Sequence, residues 1–135
     1  MCIRDSYRYS DPRGSLNYTV MAQDDQLGWH FDGCELVASI LLRPADNGGD
    51  FEYIPSVRSD NDENFPYVQS ILSGDDEQRL SVNFQPGDMV LFRGRNSLHR
   101  VTPIRGEITR LMALMSFDNV EYAPKSDGPN DLLPS

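Results

Sequence analysis

Between Ser15 and Phe117 the apolar residues fall in short runs that alternate with polar ones or stop at a turn, and no run is long or periodic enough for a substantial helix. Ser15 to Val20 is β-prone, and Asp24-Asp25-Gln26 reads as a polar turn into Trp29-His30-Phe31, a hairpin-like entry. Leu36 to Leu42 is apolar apart from Ser39 and is ended by Arg43-Pro44; its brevity and the proline favour a buried strand over a helix. The turn Asn47-Gly48-Gly49-Asp50 feeds Phe51-Glu52-Tyr53-Ile54, a strand that stops at Pro55. Further strands are expected over Leu80 to Phe84, over Met89 to Phe92 after the turn Pro86-Gly87-Asp88, and over Leu111 to Phe117. The acidic stretch from Arg58 to Arg79 lacks this order and reads as a solvated insertion with one or two helical turns around Tyr67 to Leu72, and the Asp75-Asp76-Glu77 run reads as surface. Short strands punctuated by turns predict an all-β fold with minor helix, a sandwich or barrel-like jelly roll.

Length adds one constraint: 135 residues suit a single domain with a usable core. Its expected extent is 15–122, with a leader over 1–14 and a loose tail over 123–135. The opening Met1-Cys2-Ile3-Arg4-Asp5-Ser6 fits poorly with the strand-patterned stretch after it and reads as foreign to the domain, so the natural N-terminus is expected to be missing. Hydrophobic residues at 39% and charged residues at 24%, with ten glycines and nine prolines, describe a globular chain rich in turns.

A net charge of -9 argues against nucleic acid as a partner, because phosphate binding needs a surplus of Lys and Arg on one face. Cys2 and Cys34 do not make a disulfide framework, and no apolar stretch reaches membrane-spanning length, so the expected setting is cytoplasmic with no membrane partner. Lys125 is the only lysine beside eleven arginines, and arginine is the side chain that grips carboxylates with two hydrogen bonds. A small acidic ligand is therefore worth seeking.

The chain has two histidines, His30 and His99, and strand alternation would place His30 and Asp32 on one face. Taken alone, a histidine two residues before an acid is cheap in so acidic a chain. His99 follows a turn and strand able to return to the same end of a sandwich, and two imidazoles with one carboxylate form the facial set of an iron(II) centre. Arg110 then stands alone in Ile108-Thr109-Arg110-Leu111-Met112-Ala113-Leu114-Met115, where a guanidinium needs an anion or suffers desolvation.

The order His30, Asp32, His99, Arg110 resembles the Fe(II)/2-oxoglutarate-dependent dioxygenases, whose signature is His-x-Asp/Glu, a distal His, and an Arg or Lys about ten residues later. The resemblance runs from about Ser15 to Phe117 and includes the Gly48-Gly49-Asp50-Phe51 and Pro86-Gly87-Asp88 segments. It implies a double-stranded β-helix, Fe(II) held by His30, Asp32 and His99, 2-oxoglutarate bound at its far carboxylate by Arg110, and O2 as co-reactant. Trp29-His30-Phe31-Asp32-Gly33 and Gly94-Arg95-Asn96-Ser97-Leu98-His99-Arg100-Val101-Thr102-Pro103 look like the subgroup of amino-acid hydroxylases and halogenases. Halogenases replace the acid with a small residue, so Asp32 points to hydroxylation of a small-molecule substrate.

Further candidate contacts to substrate or cosubstrate are Asn17 and Tyr18 on the early strand, Arg95 and Arg100 around the distal histidine, and Ser116, which shares the face of Arg110 with Met112 and Leu114. Cys34 is read as a small buried residue, and Glu35 falls off the alternation that joins His30 and Asp32. Two other classes remain open from the residues: a cupin-like metal enzyme without 2-oxoglutarate, and a non-catalytic β-sandwich binding module.

Overall fold

The computed structural model describes residues 7–8 and 15–118. Its strands are β1 (Tyr7–Arg8), β2 (Leu16–Met21), β3 (Leu27–His30), β4 (Leu36–Arg43), β5 (Asn47–Gly48) and β6 (Phe51–Ile54). After a helix, α1 (Phe65–Leu72), come β7 (Leu80–Val82), β8 (Met89–Phe92), β9 (Leu98–Val101), β10 (Ile104–Arg105) and β11 (Arg110–Asp118). The expected jelly roll is therefore present, with one helix among the described residues. β1 brings two residues of the expected leader into a sheet; the rest of that leader and the tail over 123–135 lie outside the described residues.

The larger sheet has β11 at its centre, with β1 and β2 on one side and β4 then β8 on the other. A smaller sheet runs β3-β9-β6-β7, and β5 pairs with β10 between them in sequence. All pairings are antiparallel, which suits the alternating pattern of the chain. The sheets meet through side chains: the Phe92 ring of the larger sheet lies 5.0 Å from Phe51, 5.4 Å from Tyr53 and 4.8 Å from His99 of the smaller. Met21, Val101 and Ile104 form a buried cluster between them.

Strand register assigns the faces. Arg110 lies opposite Met21 and Met112 opposite Leu41, all buried, so this is the inner face. Ala113 lies opposite Tyr18, and Met89 opposite Ile40, on the outer face. That outer face is apolar and open to solvent at Leu16, Tyr18, Val20, Met89 and Leu91.

The insertion differs from expectation. It is not merely solvated: Val57 and Ile71 are each 1% exposed and form a second core with Ile54 and Leu98, against which Trp29, Phe31, Tyr67 and Val68 pack. Pro66 in the first turn suits helix initiation, and the Asn64 side chain donates to the Val57 carbonyl at 2.8 Å, tying the helix start to the turn that follows β6. Asp76 is drawn in as well. Its carboxylate meets Arg79 at 3.0 Å and Arg100 at 3.4 Å, while Arg100 also reaches Glu52 at 2.7 Å.

Candidate metal centre and anion cavity

In the smaller sheet, His30 and His99 are direct cross-strand partners, with ring centroids 4.2 Å apart. β3 ends at His30, so the expectation that one strand carries both His30 and Asp32 is corrected. Asp32 lies beyond the strand, held by its own N–H to the Gly94 carbonyl at 3.0 Å. That bond swings the carboxylate towards both rings: its Oδ1 lies 3.1 Å from His99 Nε2 and 3.8 Å from His30 Nε2. One ligand atom from each of the three residues lies within 4.8 Å of the others.

The hydrogen bonds on the far side of each ring define what these atoms offer. His30 Nδ1 sits 2.7 Å from the Gly28 carbonyl, and His99 Nδ1 sits 2.9 Å from the Ser97 carbonyl. A carbonyl only accepts, so each Nδ1 carries a proton and donates, leaving each Nε2 as a lone pair. With both rings neutral, two imidazole lone pairs and a carboxylate face one another, and either a metal cation between them or a proton shared between His99 Nε2 and Asp32 Oδ1 at 3.1 Å satisfies them. Burial, with His99 second, lowers the His30 pKa from 6.5, which favours the neutral ligand form. The donor set fits a divalent metal with nitrogen and oxygen preference such as Fe(II), and the outer hydrogen bonds orient it as in metal sites generally.

Arg110 projects from the other sheet. It is buried, and its guanidinium makes a weak hydrogen bond to the Met21 sulfur at 3.8 Å. Burial lowers its pKa; Asp50 acts in the opposite direction without forming an ion pair within 4 Å. The guanidinium borders a cavity of about 310 Å³ shared with Gly49, Asp50, Phe51, Asn83 and Phe84. Phe51 joins this cavity to the histidines, its ring centroid being 5.6 Å from that of His99. Sequence reasoning missed Asp50, Asn83 and Phe84; the turn before β6 was visible, but nothing local pointed across the barrel.

The remaining candidates separate by face. Tyr18 is corrected: it is 69% exposed on the outer face of the larger sheet, an odd number of residues from Met21. Arg100 is corrected too. Adjacent to His99, it must point to the opposite face, where it binds Glu52 and Asp76 and lies 4.6 Å over the Trp29 ring. Arg95 is half exposed, with Glu35 at 4.0 Å and Asp60 at 3.8 Å. Asn17 and Ser116 share the inner face but do not border the cavity. Ser116 hydrogen-bonds Cys34, whose thiol burial pushes up to about 11, an inert state. Glu35 pairs with Arg93.

A jelly roll with two cross-strand histidines on one sheet, an aspartate just beyond the first of those strands and a buried arginine on the other sheet has the arrangement of an oxygenase-type double-stranded β-helix. Consistent with that class, the fold matches a 2OG-Fe(II) oxygenase family oxidoreductase from Burkholderia pseudomallei, with TM-score 0.57 and 17% identity over 78% of this chain and 42% of that one. The chain thus spans about two-fifths of that protein's length. The sequence matches the family described as Halogenase D over residues 10–127, and the chain belongs to that family. A weaker similarity, TM-score 0.49 and 9% identity over 82% of this chain and 70% of the other, is to Drosophila melanogaster CENP-C bound to CAL1. No curated protein matches the chain.

Proposed function

We propose that this chain is the catalytic barrel of an Fe(II)/2-oxoglutarate-dependent oxygenase that hydroxylates a small molecule, such as a free amino acid or a derivative. The observation that carries this reading is Arg110, a buried guanidinium that borders a cavity and has no carboxylate of the described residues within ion-pair distance. A buried cation with no acid in ion-pair contact costs several kcal/mol; Asp50 at longer range offsets part of this, and an incoming dicarboxylate would offset more. The cavity lies at the small end of the range of roughly 300–1,000 Å³ for ligand sites, which suits a five-carbon diacid.

Fe(II) bound by His30, Asp32 and His99 supplies oxygen activation coupled to decarboxylation of 2-oxoglutarate to succinate. Arg110 binds the far carboxylate of the cosubstrate and so fixes its orientation. Asp50, held by hydrogen bonds with the Thr102 hydroxyl at 2.9 and 3.4 Å, opposes the effect of burial on the Arg110 guanidinium. Leu41, Phe51, Val82 and Phe84 give the same space its apolar lining.

Halogenation is the second reading, favoured by membership of the Halogenase D family. Asp32 weighs against it, because the halogenases that the motif resembles carry a small residue in place of this acid. The test is anaerobic addition of 2-oxoglutarate to Fe(II)-loaded protein. A visible absorbance band from chelation, the same with and without chloride, is expected; folded, iron-loaded protein without the band overturns the cosubstrate reading, and a band altered by chloride overturns hydroxylation.

A further inference from the structure

Three glycines flank the metal-binding motifs, and they are not alike. A Cβ added at Gly28 or Gly33 would meet nothing within 4 Å. At Gly94 it would collide with Asp32 Oδ2 and come within 2.7 Å of both Asp32 Cγ and His99 Cε1, distances that real Cβ atoms essentially never show. Gly94 is buried and is absent from the glycines with positive φ, so its backbone is open to any residue. What the site requires there is the missing side chain.

The cause is the backbone bond from Asp32 N–H to the Gly94 carbonyl. It lays the chain carrying Asp32 directly over Gly94, so the carboxylate and the His99 ring both rest against bare backbone. We infer that Gly94 is a positioning residue that reserves the third ligand place for the Asp32 carboxylate, a role that rests on the metal-centre reading of the site. A methyl group at 94 would drive the carboxylate outward, and Asp32, at 18% side-chain exposure, has solvent within reach to receive it. Metal affinity should then fall while the metal-free fold survives.

The experiment compares wild type, G94A, D32A and D32A/G94A by Co(II) titration and by melting of the metal-free proteins. G94A is expected to bind Co(II) at least about tenfold more weakly, in line with the ~10–100-fold cost of losing a partner that orients a ligand, with a metal-free melting temperature close to wild type. In the D32A background the same substitution should cost little further affinity, because the His99 ring can turn into the space the carboxylate leaves. Wild type that takes no Co(II) overturns the metal-centre reading itself. Wild type that binds beside a G94A variant that binds equally well overturns this inference alone. Should G94A fail to fold, a D32A/G94A protein melting with D32A supports the inference, and one that is also unfolded assigns Gly94 to the backbone and overturns it.

Discussion

The two sheets contribute to the site in different ways. The smaller sheet and the turn after β3 supply two imidazoles and a carboxylate suited to hold a cation, and the sheet is braced from behind by α1 and by the Glu52, Asp76, Arg79 and Arg100 network. The larger sheet supplies one buried cation that has Asp50 nearby but no acid of the described residues within ion-pair distance. The histidines and Asp32 do not border the cavity that Arg110 lines; the Phe51 ring stands between the two. Each wall offers a place to one kind of ligand, so substitutions on each should fail differently.

The largest effect should come from separating the walls. His99→Ala should reduce metal affinity by more than the ~10–100-fold of an outer partner. Arg110→Ala should leave metal binding near wild type yet weaken 2-oxoglutarate binding by the ~1.5–3 kcal/mol of a charged hydrogen bond, roughly 10–150-fold. Titrations of metal and cosubstrate on both variants check this, and equal losses in both would show that the walls are not separable.

Next in size is the brace. Ile71→Ala deletes a side chain that is 1% exposed and should cost about 2–5 kcal/mol in urea unfolding. If α1 were only a solvated insertion, the loss would stay within about 0.5 kcal/mol.

The smallest expected effect is pH dependence in the metal-free protein. His30 is depressed below 6.5 in the fold, so as pH falls through 6.5 the unfolded chain binds the proton first and stability declines until the folded pKa is passed. Thermal melts between pH 7 and 5 should fall more steeply for wild type than for His30→Gln. Parallel curves would mean that the ring does not titrate as its burial implies.

Much of this was legible in the sequence because strands have a period of two. That rule placed Arg110 and Met112 on one face, and it would equally have removed Arg100, the neighbour of His99, from the site. What stayed hidden depended on partners distant along the chain. The apolar face of α1, formed by Tyr67, Val68 and Ile71, is only about two turns long and sits in an acidic stretch, so it stood out little as a core element. Asp32 comes after β3 and takes its direction from Gly94, more than sixty residues away, which no local pattern encodes. Asp50 lay in a visible turn, but its relation to Arg110 exists only once β10 and β11 have returned across the barrel.

The outer face of the larger sheet has a consequence for how copies of the molecule meet. Leu16, Tyr18, Val20, Met89 and Leu91 give one greasy wall to a body of net charge -9. At low ionic strength like charge keeps such bodies apart at distances beyond ~10 Å. Added salt shortens that reach without weakening apolar contact, so association between copies is expected to rise with ionic strength.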